Sequence, residues 1–285
     1  MKPNLPSLTA QRVAMSRAAH QLLEVPRLFE DPIAVRIIGE QNSRNIISTP
    51  ERYLKPSASY LRAFLVARSK YTEDALSKAV SQGMRQYVIL GAGLDTFPYR
   101  NPFESQLLRV FEVDHPATQA WKRECLDAQG IPIPGSLRFV PVDFEKENLE
   151  DQIPKAGFNK KEASFFSWLG VTMYLPPESV LTMLKSIAKL AAEGSEVVFD
   201  YALSPTLLSR RDLVSYQTRA ARVAAAGEPW KSAFNPNQLA AELRTVGFTV
   251  LEDLDSAAIN ARYFEDRTDD FHVAGRAHLL RAALT

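Results

Sequence analysis

Cysteine is nearly absent: the chain has only Cys125, so no internal disulfide can form and stability must come from packing. Four histidines lie scattered at positions 20, 115, 272 and 278, with no zinc-binding spacing among them. No apolar run approaches the roughly 18 residues of a membrane helix. The start, MKPNLPSLTA, lacks a charged segment leading into an apolar one, and the expectation is a cytoplasmic protein that engages no membrane. An excess of either charge is missing too. The 34 basic and 33 acidic side chains leave a formal charge of +1, which gives no global field to draw the chain onto nucleic acid. Repeats and low-complexity tracts are also lacking, which excludes solenoids and disordered linkers. With 46% hydrophobic residues in 285, the chain has enough apolar material for a sizeable core and reads as one continuous domain over residues 1–285.

What is present falls into a regular order. TAQRVAMSRAAHQLLE is rich in Ala, Arg, Gln and Leu, and DPIAVRIIGE sets Asp31 at a capping position with Pro32 first in the turn; both read as helices. QNSRNIISTPE reads as a polar connection. A further helix over about 57–82 carries Leu61, Leu65, Ala75, Leu76 and Ala79 at near-helical spacing and stops at Gly83. Residues 1–83 are therefore expected to be N-terminal helices.

Short apolar runs then alternate with polar or helical stretches: QYVILG (86–91), LLRVFEVD (107–114), LRFVPVD (137–143), ASFFSWLG (163–170) and SEVVFDYA (195–202). This alternation predicts βαβ units and an α/β fold with a mostly parallel sheet covered on both faces. NPNQLAAELRTVGF is one more helix, and FTVLEDL (248–254) and HVAGRAHLLRAAL (272–284) are strands whose short connection suits an antiparallel pair at the sheet edge. The intervening segment, 203–234, is helical in composition, ends in AAAGEPWKSAF, and is expected to cap the carboxyl ends of the strands, where open α/β sheets bind ligands.

The first strand runs into GAGLDT. Gly91 and Gly93 allow a tight turn and close approach to a bound group; equally, they serve a plain strand-to-helix turn. The third glycine of a dinucleotide fingerprint is replaced by Thr96, and Pro98 interrupts the expected helix. About 20 residues on, Asp114 ends the second strand, where a carboxylate accepts bonds from ribose hydroxyls or caps the helix starting near Pro116. Asp143 and Phe144 end the third strand, placed to bond an adenine amino group and to pack on the base, or to cap a helix beside a core ring. Together they point to an adenosine-bearing ligand. Without the third glycine there is no cradle for a pyrophosphate, which favours S-adenosylmethionine over NAD.

The same residues resemble the leucine carboxyl methyltransferase superfamily, in particular its bacterial O-methyltransferase branch. The likeness runs through TAQRVAMSRAAH, LFEDPIA, VARSKYTEDAL, VILGAGLDTFPYR, FEVDHPATQAWKRECL, PVDFE, GVTMYLPPESV, VVFDY and GEPWKSAFNPNQL, nearly the whole chain. It implies a class I methyltransferase fold, a Rossmann-like sheet of about seven strands in which 84–202 bind S-adenosyl-L-methionine and 235–285 supply the last helix and edge strands. By that resemblance Arg68 meets the methionine carboxylate, Gly91 lies against the cofactor, Asp114 holds the ribose, Asp143 and Phe144 flank adenine, and Arg17 is a second basic residue near the methionine end. Many relatives carry an acidic residue where this chain has Leu169, so contact there falls to a backbone carbonyl or another residue.

Methyl transfer from a sulfonium is a direct displacement that depends on placing a small-molecule acceptor in line. A carboxylate acceptor needs no base, in keeping with a sequence that has no evident catalytic dyad; a hydroxyl needs one. His115, next to Asp114, reads better as structural. Tyr174, Tyr201 and Trp230 are candidates for the acceptor pocket, each with an alternative as packing. No catalytic residue and no metal ligand is assigned. Two competing classes stay open: an NAD-dependent oxidoreductase, disfavoured by Thr96 and the lack of a hydride-transfer set, and a non-catalytic binding module, supported only by Leu169.

Overall fold

A computed structural model describes residues 8–144, 146–225 and 229–285. Its helices in chain order begin with α1 (Leu8–Leu23), α2 (Pro32–Ile37), α3 (Glu40–Ser48), α4 (Glu51–Leu54) and α5 (Pro56–Ser81). Strands β1 (Gln86–Leu90), β2 (Arg109–Asp114), β3 (Leu137–Pro141), β4 (Phe165–Trp168) and β5 (Glu196–Ala202) follow. Between them lie α6 (Pro116–Ala128), α7 (Leu149–Gln152) and α8 (Pro177–Leu190). The remainder is α9 (Arg210–Ala225), α10 (Pro236–Thr245), β6 (Phe248–Leu254), α11 (Ser256–Tyr263) and β7 (Ala277–Leu284).

The strands form one sheet in the order β3-β2-β1-β4-β5-β7-β6. β1 to β5 run parallel, and β7 pairs antiparallel with both β5 and β6. The two last strands are thus the expected antiparallel pair, with β7 inserted between β5 and the edge. Successive connections run outward from β1 to β3 on one side and resume at β4 on the other, so the strand order reverses between β1 and β4. Such a switch point opens a crevice at the carboxyl ends of these strands.

Alternation along the strands divides the core. Tyr87, Ile89, Val110 and Val198 pack beneath α5 with Val66, Leu76 and Leu279. Val88, Leu90, Phe111, Phe166 and Phe199 face α8 and α10, where they meet Val180, Leu184 and Leu243. A third cluster joins α1 to α3 through Ala18, Ile33, Ile37 and Ile46 to Leu94 and to Leu126 of α6.

Two expectations are corrected. The polar connection after residue 40 is helical: Gly39, with φ +81°, ends α2, and Asn42 and Ser43 return hydrogen bonds to the Ile38 and Val35 carbonyls. Ile46 alone of α3 is fully buried, too little apolar signal for the periodicity to show. The connection between β6 and β7 contains α11, capped by Asp255, whose Oδ1 accepts from Ala258 N, and β7 begins at Ala277 instead of His272.

Buried charge fastens the N-terminal helices to the sheet. Arg17 of α1, 4% exposed, donates from Nη2 to Asp31 Oδ2 (2.6 Å) and Thr96 Oγ1 (3.0 Å), and from Nη1 to Asp95 Oδ2 (3.0 Å). Thr96 Oγ1 donates in turn to Asp31 (2.7 Å), and Arg100 Nε stands 3.2 Å from the same carboxylate. Burial, the largest single influence, opposes ionisation of Asp31 and Asp95, but Arg17 together with Arg100 and Thr96 at Asp31, and with Lys122, the Phe97 N–H and Arg100 at Asp95, outweighs it, and both carboxyls stay below their usual range. At the far edge, Glu252 of β6 accepts from Arg262 Nη2 (2.6 Å) and from the Tyr71 hydroxyl (2.7 Å), tying α11 and α5 to the last strand.

Arg17→Met leaves the buried Asp31 without its main cation, and urea unfolding should show a loss of roughly 3–5 kcal/mol. A loss below about 1 kcal/mol, the range of an exposed ion pair, would remove this cluster from its place in the fold. Glu252, held down to about 2 chiefly by the Arg262 hydrogen bond, titrates near its ordinary 4.5 once unfolded. Its contribution is therefore complete above pH 4.5 and disappears as the pH falls toward 2. With a discount for its partial exposure, the effect is on the order of 1–2 kcal/mol, and Glu252→Gln should flatten that part of the acid stability curve.

Candidate active site

The turn after β1 is built around backbone that only glycine adopts easily. Gly91 has φ +67° and Gly93 φ +48°. The Gly91 N–H donates to the Val113 carbonyl (2.8 Å), which continues the ladder to β2 beyond the strand end. A Cβ on Gly91 would fall 2.6 Å from Val171 Cγ2 in the loop after β4, and one on Gly93 would stand 3.0 Å from Ala10 Cβ of α1. The turn therefore lies tight against both neighbours, and a side chain at either glycine would collide with them.

Asp114 closes this turn from the tip of β2. Its Oδ2 accepts from Gly93 N (2.6 Å) and its Oδ1 from His115 N (2.6 Å). Burial nonetheless pushes its pKa above the usual carboxylate range, against these two backbone bonds. Each oxygen keeps a lone pair, so the geometry fits a diol presented at the strand end. His115 Nδ1 accepts from Ala117 N (3.2 Å) and caps α6, the structural reading expected of it. Its Nε2 stands 4.0 Å from Asp143 Oδ2, so the tips of β2 and β3 lie side by side. Asp143 also meets Lys146 Nζ at 2.7 Å, and Phe144, 41% exposed, presents a ring at that rim.

Across the switch point, α5 delivers Arg68. This guanidinium is 6% exposed, lies 5.8 Å from the Phe64 ring centroid, and donates from Nη1 to Asp200 Oδ2 (2.9 Å). Asp200 sits on β5, fully buried, and its Oδ1 accepts the Gly170 N–H (2.5 Å). Leu169 is partly buried and packs against the core beneath α5. Sequence reasoning missed Asp200. Its signal was one acidic residue inside the otherwise apolar run VVFDY, where a buried charge requires a partner. Glu112 in VFEVD carries the same mark: it is fully buried and accepts from Lys122 Nζ (2.6 Å), which also donates to the Asp95 carbonyl (2.7 Å).

The remaining candidates divide. Arg17 is engaged by Asp31, Asp95 and Thr96 beside the glycine turn, where it braces the turn, and its Nε is buried without a hydrogen-bond partner among the described residues. Tyr201, considered for the acceptor pocket, is fully buried. Its hydroxyl donates to Asp253 (2.6 Å), with His278 Nδ1 at 3.2 Å, and its ring meets Phe234. The alternation of β5 turns Tyr201 to the face opposite Asp200, which removes it from a pocket shared with Arg68.

Segment 203–234 leaves β5 and returns to it. Phe234 N donates to the Ala202 carbonyl (2.8 Å) and Ser204 N to the Phe234 carbonyl (2.9 Å). On the way back, Lys231 N donates to the Met173 carbonyl (2.7 Å) and Ser232 Oγ to the Thr172 carbonyl (2.8 Å). The return limb is thereby joined to the turn after β4 that holds Tyr174. Trp230 packs on Tyr216 of α9 with ring centroids 5.4 Å apart. Part of the expected cap, residues 226–228, lies outside the described residues.

Comparison with known proteins identifies the family and the fold. Over its full length, 99% of each chain, the sequence is 36% identical to the Bacillus subtilis protein named "Putative S-adenosyl-L-methionine-dependent methyltransferase YktD". A Mycobacterium marinum protein described in the same words is 30% identical over 67% of this chain and 61% of its own. Among solved structures, a Thermobifida fusca protein titled a putative methyltransferase superposes with a TM-score of 0.61 at 15% identity, covering 100% of this chain and 97% of that one. A DUF574 family protein of Streptomyces avermitilis gives 0.55 at 14% identity, over 95% and 97%. At such identities the likeness is one of fold. The leucine carboxyl methyltransferase model matches residues 10–188, from α1 through the glycine turn, Asp114 and Gly170 to α8, and the chain belongs to that family.

Proposed function

We propose that the chain transfers a methyl group from S-adenosylmethionine to an oxygen of a small organic acceptor, with a carboxylate as the preferred class. Dependence on S-adenosylmethionine follows from the family. The observation that supports the site is the hydrogen bond from Gly93 N to Asp114, which locks the open glycine turn to a ribose-binding carboxylate at the switch point. The donor, when bound, supplies an electrophilic methyl on a sulfonium. Asp114 would hold the ribose hydroxyls, Asp143 and Phe144 the adenine, and Arg68 the methionine carboxylate. Gly91 and Gly93 leave room for the methionine portion, and the backbone carbonyl of Leu169 accepts from its ammonium. Arg17 acts through the turn.

Positioning is the main task of such a site, since a displacement needs its acceptor in line and close. A carboxylate arrives ionised and needs no general base. His115, the histidine beside the ligand residues, spends Nδ1 on the cap of α6, and His278 is bound to Asp253 and Tyr201 in the core. The 203–234 segment, with Trp230 and with Tyr174 below it, forms the wall that selects the acceptor.

Calorimetric titration with S-adenosylhomocysteine should show binding, weakened at least tenfold by Asp114→Ala. Because burial raises the Asp114 pKa, binding in the wild type should weaken on acidification at a higher pH than an ordinary aspartate would require, as that carboxylate takes up its proton. A panel of carboxylic acids and phenols, followed by release of S-adenosylhomocysteine, should give a product whose methyl is removed by mild base, as an ester requires. A base-stable methyl ether or a methylated nitrogen would overturn the carboxylate reading.

A further inference from the structure

We infer that Asp200 is a positioning residue for donor binding: it turns Arg68 so that the side-on edge of the guanidinium faces the methionine carboxylate. The inference rests on the reading of Arg68 given above. Among the described residues, Nη1 is the one Arg68 nitrogen with a hydrogen-bond partner, and that partner is Asp200 Oδ2. The Nε and Nη2 donors, which together form the fork that matches a planar carboxylate, remain for a ligand. Asp200 has no exposed surface and cannot touch the ligand itself.

Three further contacts make the arrangement a specific one. The other Asp200 oxygen accepts the Gly170 N–H at 2.5 Å, so one carboxylate fixes both the arginine and the backbone at the end of β4. The Asp200 carbonyl accepts from Thr172 Oγ1 (2.6 Å), which holds the next turn of that loop to β5. Arg68 Nη2 lies 2.7 Å from where a Cβ would stand on Gly170, so the guanidinium occupies space that only glycine leaves. Leu169 offers no charge at this strand end, and the compensating carboxylate comes instead from the neighbouring strand. A buried guanidinium without that partner would lose its fixed orientation.

Two effects of Asp200 oppose each other. Its negative charge repels an incoming carboxylate, while its geometry aims Arg68. Asp200→Asn separates them. With its oxygen on Gly170 N–H, the new amide turns an N–H2 toward Arg68 Nη1, donor against donor, and displaces the guanidinium. If orientation dominates, binding of the amino-acid portion weakens even though a repelling charge has gone.

The test compares S-adenosylhomocysteine with 5′-methylthioadenosine, which has the adenosine but no amino-acid carboxylate, by calorimetry on the full chain. Asp200→Asn should weaken S-adenosylhomocysteine about tenfold and leave 5′-methylthioadenosine within twofold; a general loosening of the fold would weaken both alike. Gly170→Ala, which crowds the guanidinium while the Asp200 carboxylate itself is kept, should give the same selective loss and serves if Asp200→Asn does not fold. Arg68→Ala is the reference. Should it affect both ligands equally, the reading of Arg68 fails. If Arg68→Ala is selective while Asp200→Asn and Gly170→Ala weaken both ligands equally, or tighten S-adenosylhomocysteine, the role given to Asp200 is overturned and that of Arg68 stands.

Discussion

Everything at the carboxyl ends of the strands depends on keeping a polar, glycine-containing turn in one conformation next to an apolar core. The buried cluster of Arg17, Asp31, Asp95 and Thr96 performs this task. Glycine supplies the positive φ that the turn requires but also the freedom to leave it. Charge-assisted bonds from α1 and, through Lys122, from α6 remove that freedom. The N-terminal helices therefore help to set the conformation of the turn after β1 and do more than decorate the sheet.

On either side of the switch point the same device recurs. Asp114 from β2 accepts the N–H of Gly93 in the turn after β1, and Asp200 from β5 accepts the N–H of Gly170 in the turn after β4. In each case a carboxylate on the adjacent strand fixes a glycine whose neighbouring space is nearly filled, by Ala10 at one and Arg68 at the other. Each such bond satisfies a backbone donor that would otherwise be lost on burial, and each holds a charged group ready before any ligand arrives.

Much of this was legible in the sequence. The five apolar runs, the capping Asp31 before Pro32, the stop at Gly83 and the acid at the tip of the second strand are local signals with local causes, and the structure places each where its chemistry suggested. The α3 helix was not legible, because Ile46 alone carries its buried face. Nor was the pairing of Arg68 with Asp200, separated by 132 positions: no spacing rule connects a helix residue to a strand four crossovers away. Tyr201 takes the packing alternative for a related reason. In a strand, moving one residue along exchanges the two faces of the sheet, and only the packing shows that Asp200, not Tyr201, shares a face with α5.

The meeting of Leu203 with Phe234 at the end of β5 gives the excursion between them an unusual independence. A loop whose two ends are already joined adds little closure entropy when it lengthens or shortens, since that cost grows only slowly with length. Its residues are thus largely released from the demands of the sheet, apart from Lys231 and Ser232, which hold the turn after β4. The fold therefore lets this segment change in length while the strand ladder on either side stays intact.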